Sequence, residues 1–193
     1  MLPNLAPVIA AATLFAQSYN QTMEVYRQGH SSHTYAQSIA SYYQGPAYVG
    51  FWGGTSLTNL SQEAIGAVTK GSIDFLDKVG YGYNIHVRNI RVDPYSDDAA
   101  AVWLSWNLHP KNGEKDLEWD TLYGYRMKIA ANATQGQDMK TKCGPEGSLA
   151  CKVGGKDKVQ GWWEFTSTDN EIRTFTERIP NYLDSYKPQR QAV

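Results

Sequence analysis

The 193-residue sequence has little cysteine, no long apolar run and no excess of charge of either sign. Eighteen lysines and arginines stand against 19 aspartates and glutamates, so the net charge is -1 and no broad electropositive surface for nucleic acid or an anionic membrane is expected. No stretch approaches the roughly 20 apolar residues of a membrane-spanning helix. The two cysteines are too few for a structural zinc site. These absences leave a globular protein that acts through a local site.

The two cysteines, Cys143 and Cys151, lie eight positions apart in a stretch that contains glycine and lysine. Their spacing matches no common metal or redox motif. They form either a small disulfide-closed loop, which would require an oxidising compartment, or two free thiols in a cytosolic loop. The second interpretation is preferred, so a cytoplasmic location is expected, with secretion left open.

The N-terminal segment predicts one amphipathic helix rather than a cleaved leader. No lysine or arginine precedes its apolar part, as a signal peptide would require. Apolar residues recur every three or four positions across any plausible cleavage site, at Val8, Ala12, Phe15, Tyr19, Met23 and Tyr26. Only Glu24 and Arg27 are charged in the first 62 residues. This part of the chain is therefore expected to lie against a sheet or a partner subunit.

The apolar pattern predicts three helices followed by a run of strands. Helices are predicted over 6–28, 34–43 and from Ser61 to about Lys78, with a short strand over 47–52 before the third. From Tyr81 the period changes to two, and strands are predicted over 84–92, 99–108 and 117–129. A last hairpin, with strands over 161–166 and 171–179, is predicted around Thr168. The segment 130–160 is interpreted as an irregular insertion in a single domain that spans 1–193.

Three local patterns carry a resemblance to a known family. They are Tyr43 to Val49 after the second helix, Ser61 to Ile65 at the start of the third, and Ile85 to Val92 at the start of the strand run. With the order of elements, they resemble the nuclear transport factor 2-like cone fold, which includes ketosteroid isomerase, scytalone dehydratase, limonene epoxide hydrolase and the SnoaL-like polyketide cyclases. The resemblance implies an α+β fold of cystatin-like topology, in which a curved antiparallel sheet forms a cone around three helices.

Alternation along the strands separates two faces of the sheet. The family's pattern favours as the inside of the cone the face that carries His86, Trp103, Tyr123 and Phe175. The opposite choice stays open, because Val102, Leu104 and Trp106 would make an equally good core. On the favoured choice these three would instead pack against another subunit, which suits a homodimer.

Three residues are the catalytic candidates. His86 is one because imidazole titrates near neutrality and its position resembles that of an active-site histidine in scytalone dehydratase. Glu177 is expected as a general base, with Arg173 on the same strand face holding it ionised. Tyr123 aligns with an oxyanion-hole acid of ketosteroid isomerase and would donate a hydrogen bond to an enolate. Substrate contacts are assigned to Trp52, Arg88, Trp103, Asn107, Tyr125, Arg173 and Phe175.

The resemblance implies a cofactor-independent lyase, isomerase or cyclase that acts on an apolar oxygenated small molecule, such as a polyketide or terpenoid intermediate. The alternative is a non-catalytic small-molecule-binding or protein-interaction module of the same fold. The steroid-isomerase mechanism does not transfer unchanged, because Phe51 stands where that enzyme has its catalytic aspartate. The sequence has no P-loop, dinucleotide fingerprint, His-Glu-x-x-His motif or nucleophile elbow, so no metal or cofactor is expected.

Overall fold

A computed structural model describes residues 5–26, 31–45, 48–52, 54–128 and 161–183. Within these ranges the helices are α1 (Ala6–Tyr26), α2 (Ser32–Ala40), α3 (Gln62–Lys78) and α4 (Asp169–Arg178). The strands are β1 (Tyr48–Trp52), β2 (Thr55–Leu60), β3 (Ile85–Pro94), β4 (Ala99–Leu108), β5 (Leu117–Met127) and β6 (Gly161–Ser167). The predicted insertion at 130–160, with both cysteines, lies outside the described residues. The fold is α+β, as predicted.

The six described strands form one sheet in the order β2-β1-β6-β5-β4-β3, and the sheet does not close. β3, β4, β5 and β6 are antiparallel neighbours, as predicted. β1, however, runs parallel to β6, with Val49 opposite Phe165. The expectation of an entirely antiparallel sheet is therefore wrong at this one pair. β1 and β6 are more than 100 positions apart in sequence, so no hairpin fixes their relative direction.

α1 packs along the sheet against β3, β4 and β5. Its side chains Val8, Ala12, Phe15 and Tyr19 are at most 2% exposed, which confirms the predicted amphipathic helix. The opposite face of α1 is open to water although it carries almost no charge: Ile9 is 38% and Leu14 44% exposed. None of the described helices has the length and apolar character needed to cross a membrane.

Serine side chains cap the starts of α2 and α3. Ser31 Oγ accepts a hydrogen bond from the backbone N–H of Thr34 at 3.2 Å, and Ser61 Oγ accepts one from that of Ala64 at 3.1 Å. The predicted start of the third helix at Ser61 is confirmed. The second helix begins two residues before its predicted start and ends three residues before its predicted end.

The face of β4 that packs against the helices carries Val102, Leu104 and Trp106, whereas the family's pattern favoured the face that carries Trp103. Val102, Leu104 and Trp106 are at most 3% exposed, whereas Trp103 lies half-buried on the outer face. The favoured orientation of this strand is therefore wrong and the alternative is correct. The physical reason is that the more apolar set gains more from leaving water than a set that includes Ser105.

β3 presents Ile85 to the core and His86 to the outer face. A register shift between Val87 and Asn89 then moves the core-facing positions from odd to even numbers, so Ile90 packs against the core further along the strand. The expected placement of His86 inside the sheet is therefore wrong. On β5 the predicted orientation is confirmed: Trp119, Tyr123 and Tyr125 are buried, while Glu118 and Asp120 are exposed.

The last predicted strand, 171–179, is instead the helix α4. Its buried residues Ile172, Phe175 and Ile179 recur at intervals of three and four, the spacing of one helix face. An acidic first turn and a basic Arg178 in the last turn suit the helix dipole. The alternation of Arg173, Phe175, Glu177 and Ile179 is also compatible with a strand. In the helix, Arg173 and Glu177 are exposed because they are four positions apart on the face that points away from the core.

Gly124 on β5 tests the pairing of β5 with β6. A Cβ at this position would lie 2.1 Å from Cε1 of Phe165, its partner across the strands. Gly124→Ala is expected to lower the free energy of unfolding by about 1–3 kcal/mol, because the Phe165 ring must move. The measurement is urea denaturation.

The matched background for this test is Phe165→Ala, in which the ring that meets the new methyl group is absent. There Gly124→Ala should cost less than half as much as in the wild type. An equal cost in both backgrounds would contradict the described pairing.

Candidate functional site

A cavity of about 100 Å³ lies between the inner face of the sheet and the helices. Tyr19 lines it from α1, Ile65 from α3, Tyr123 from β5 and Glu171 from α4. Among the described residues around it, Glu171 is the only acidic or basic side chain. The aromatic lining consists of Tyr19, Tyr43, Tyr48, Trp52, Tyr83, Trp106, Trp119, Tyr123, Phe175 and Tyr182.

Glu171 is positioned by the anchored first turn of α4. Asp169 Oδ1 accepts a hydrogen bond from the backbone N–H of Gly54 at 3.1 Å, which ties the helix to the turn between β1 and β2. Asn170 Oδ1 accepts one from the backbone N–H of Asp120 at 2.8 Å, which ties it to β5. With two successive residues fixed to the sheet, the next side chain is directed into the cavity with little freedom.

The Glu171 side chain is partly buried in mostly apolar surroundings. Tyr182 Oη donates a hydrogen bond to its Oε1 at 3.4 Å. Burial raises the pKa of Glu171 to about 7, because an ionised carboxylate loses its hydration there. The Tyr182 hydroxyl and the Trp119 indole N–H stabilise the charged form and partly offset this rise. Both protonation states of Glu171 are therefore accessible near neutral pH.

Tyrosine hydroxyls supply the neutral polar groups of the cavity. The Oη atoms of Tyr19 and Tyr43 share a hydrogen bond of 2.8 Å. Burial raises the pKa of both well above its usual range, and it does the same for Tyr48 and Tyr123, where the charge of Glu171 adds to the rise. These phenols stay protonated across the working pH range and can donate hydrogen bonds to a ligand oxygen.

Three of the predicted site residues reach the cavity: Tyr123, Trp52 and Phe175. Tyr125 is fully buried in the core beside it, with its ring 5.2 Å from that of Phe15 and 6.1 Å from that of Trp163. Its contribution is to packing, and its ring does not line the cavity.

Four predicted residues lie on the outer side of the sheet. His86 is half-buried opposite Asn107, and Asn107 Nδ2 donates to Asp116 Oδ2 at 3.0 Å. Arg88 is exposed and forms an ion pair with Glu118. Trp103 carries the guanidinium of Arg91 over its ring, with Cζ 5.3 Å from the centroid. The structure therefore does not bring His86, Arg88, Trp103 and Asn107 to the cavity.

Arg173 and Glu177 are exposed on α4. They share a face, as expected from their spacing, but the helical face that they share points away from the packed side with Ile172 and Phe175. Across the described ranges, no group of three or more histidine, cysteine, aspartate or glutamate side chains is arranged to hold a metal ion.

Glu171 was missed because the segment 171–179 was interpreted as a strand. On a helix, Glu171 and Phe175 fall on one side because they are four positions apart. A single acidic residue within an otherwise apolar helical stripe is a signal for a buried carboxyl. The helical period of Ile172, Phe175 and Ile179 was the feature that could have revealed it.

Comparisons with known proteins give likenesses at the level of structure only. No protein-family model and no curated protein matches the sequence. A domain of unknown function with a cystatin-like fold from Nostoc punctiforme superposes with a TM-score of 0.49 at 12% identity, over 98% of this chain and 94% of that chain. A protein provisionally named a scytalone dehydratase from Novosphingobium aromaticivorans superposes with a TM-score of 0.46 at 10% identity, over 82% and 80%.

A third structure, provisionally named a calcium/calmodulin-dependent protein kinase II association domain from Xanthomonas campestris, has a TM-score of 0.43 and 14% identity, over 82% of this chain and 84% of that chain. At these scores and identities, none of the three transfers an activity, a ligand or a partner to this chain. The function has to be argued from the cavity itself.

Glu171→Gln should remove a pH dependence of stability. Since the pKa of Glu171 is about 7 in the folded chain and near its usual 4.5 in the unfolded chain, the folded chain binds more protons between these values. The free energy of unfolding of the wild type should therefore fall as pH rises from about 4.5 to 7, by up to about 3 kcal/mol. Urea denaturation at pH 5 and pH 8 measures this fall.

The Gln variant should show a correspondingly smaller fall between the two pH values. Glu177→Gln is the matched control, because it removes an exposed carboxylate from the same helix and should leave the fall unchanged. A Glu171→Gln variant with the full wild-type pH dependence would show that the carboxyl is solvated.

Proposed function

We propose that the protein is a cofactor-independent lyase, isomerase or cyclase that performs general acid–base chemistry on a small oxygenated molecule. The observation that supports this most is the Glu171 carboxyl, placed in an aromatic cavity among tyrosine hydroxyls. A polyketide or terpenoid intermediate of the SnoaL-like or dehydratase type is the proposed substrate class. With about 100 Å³ of free space, the cavity would take the reacting part of such a molecule.

Glu171 is proposed as the group that moves the proton. A general base works best when its pKa lies near the operating pH, and burial brings the pKa of Glu171 to about 7. The ionised carboxylate would take a proton from the carbon next to a substrate carbonyl. The same group, now protonated, would return the proton to another atom or to a leaving hydroxyl, so the cycle needs no cofactor.

Tyr48 and Tyr123 are proposed as donors to the developing oxyanion. Both residues line the same cavity as Glu171, and its charge adds to the rise that burial causes in their pKa values. Neutral donors held in a fixed position stabilise negative charge on a substrate oxygen as it forms. The proposal keeps the expected role of Tyr123 and assigns the role expected of Glu177 to Glu171, while His86 and Arg173 lie too far outside the cavity lining to take part.

The proposed chemistry is tested by proton exchange at a small enolisable ketone. Butanone in D2O is followed by 1H NMR, and the wild type should accelerate loss of its α-protons over buffer. Glu171→Gln should reduce this acceleration by at least about 10²-fold, because it removes the proton acceptor. Tyr123→Phe should reduce it less, since a second hydroxyl remains.

Glu177→Gln and His86→Ala are the controls, because both side chains lie outside the cavity lining, and both should retain wild-type exchange. Equal exchange in Glu171→Gln and the wild type would remove Glu171 from the mechanism. A wild type that binds small ketones without accelerating exchange would instead favour the second candidate, a non-catalytic binding module. The small volume of the cavity and its largely aromatic lining are the observations that favour a binding module.

The homodimer and the cytoplasmic location stay predictions. Val102, Leu104 and Trp106, which the favoured orientation of β4 assigns to a second subunit, are in the core, so they do not form such an interface.

A further inference from the structure

The feature that the proposed chemistry leaves unexplained is the charge balance of the cavity. An ionised carboxylate is costly to bury unless a positive charge accompanies it. Among the described residues, no lysine, arginine or histidine lines the cavity, and the groups that act on Glu171 are the neutral Tyr182 hydroxyl and Trp119 indole. The described part of the chain thus surrounds this carboxyl without supplying a counter-ion.

The other titratable groups around the cavity do not change this balance. They are the tyrosines at positions 19, 43, 48, 83, 123 and 182, which come from α1, β1, β5 and the segments next to α2, β3 and α4. A phenol is either neutral or negative, so none of them can become a cation. The ionised form of Glu171 therefore has no positive partner in the described lining, and a bound cation would supply one.

The walls beside Glu171 have the chemistry that organic cations prefer. The ring of Phe175 lies between those of Trp119 and Tyr182, at centroid distances of 4.9 Å and 4.7 Å. Trp106 stacks on Trp119 at 6.4 Å. The negative faces of such rings attract ammonium groups, and the attraction is strongest where water is excluded.

We propose that this cavity binds a small organic cation, an amine or quaternary ammonium group, with the Glu171 carboxylate as its counter-ion and the aromatic rings as its walls. A dry cavity of about 150 Å³ accepts benzene, so about 100 Å³ suits a group of about four or five non-hydrogen atoms. A neutral group of the same size would bind through burial of its apolar surface alone, without the attraction to the carboxylate. An anion would be repelled by the carboxylate.

This inference rests on the site of the proposed function and adds the charge of the substrate to it. A substrate with a positive nitrogen next to its reacting carbon would be oriented by Glu171. Its C–H bond would also be more acidic, because the positive charge stabilises the carbanion that remains.

The test compares three small probes of different charge: tetramethylammonium, tert-butanol and acetate. Each is titrated into the wild-type chain at pH 8.5 and constant ionic strength, with tryptophan fluorescence as the readout, since Trp106 and Trp119 line the cavity. Tetramethylammonium should bind at least tenfold more tightly than tert-butanol, and acetate should not saturate. At pH 5.5 the advantage of the cation should fall at least fivefold, because Glu171 then carries a proton.

Glu171→Gln should bind tert-butanol within twofold of the wild type, which shows that the cavity is intact, and should lose the preference for the cation. Glu171→Asp, which keeps the charge, and Glu177→Gln, which removes an exposed one, should both keep the preference. The inference is overturned if tert-butanol binds as tightly as tetramethylammonium at pH 8.5, if neither binds, or if Glu171→Gln retains the preference.

The two proposals fail separately. A cation preference that depends on Glu171, without butanone exchange, leaves the binding site standing and removes the catalytic function. Exchange that depends on Glu171, without a cation preference, does the reverse.

Discussion

The packing of aromatic rings between α1 and the sheet is the interaction on which the rest of the structure depends. Phe15 lies at centroid distances of 4.8–5.2 Å from Tyr42, Tyr125 and Trp163. Aromatic rings are rigid, and two of these three pairs pack edge to face, so the distance between α1 and the sheet is fixed by the size of the rings. Where the row of rings continues past Tyr19, it does not fill the space completely, and the cavity at Glu171 results.

Ion pairs lie on the outer side of the sheet, whereas the described lining of the cavity on the inner side has one acidic residue and no basic one. On the outer side, Arg126 bonds both Asp98, at 2.9 Å, and Glu164, at 3.0 Å. These pairs are partly hydrated, so they add little to stability but keep the outer face soluble. On the inner side the described cavity lining contains one carboxyl, Glu171. A carboxyl in that position lowers stability near neutral pH, and such a cost is typical of residues kept for function.

The sequence predicted the helices and the long strands well, because their patterns are strong. The apolar residues of α1 recur every three or four positions, which indicates only a helix. On β5, Trp119, Tyr123 and Tyr125 alternate with acidic residues, which indicates only one inward face. β4 carries tryptophans on both faces, Trp103 and Trp106, so alternation alone could not decide its orientation.

The candidate site was predicted less well than the fold, for two physical reasons. The nine residues 171–179, with apolar positions at 172, 175 and 179, are too few to separate helix from strand when alternate positions also look regular, so the sequence does not reveal α4 and Glu171. The bulge after Val87 is set by packing against α1, where Asn20 Oδ1 accepts a hydrogen bond from the Val87 N–H at 2.8 Å, and no local pattern predicts such a contact. Tyr123, named from the family resemblance, reaches the cavity because β5 has the single inward face that its alternation predicts.

The parallel pairing of β1 with β6 has a consequence for how the protein is made. β6 inserts between β1 and β5, so β1 and β2 cannot join the rest of the sheet until residue 167 has been synthesised. Until then β1 has a free edge, and contacts this distant in sequence form slowly. Glu171, Phe175 and Tyr182 follow later still, so these three are the last of the described cavity walls to be synthesised. A ligand that contacts these three walls can therefore stabilise the fold only after the described C-terminal part of the chain has been synthesised.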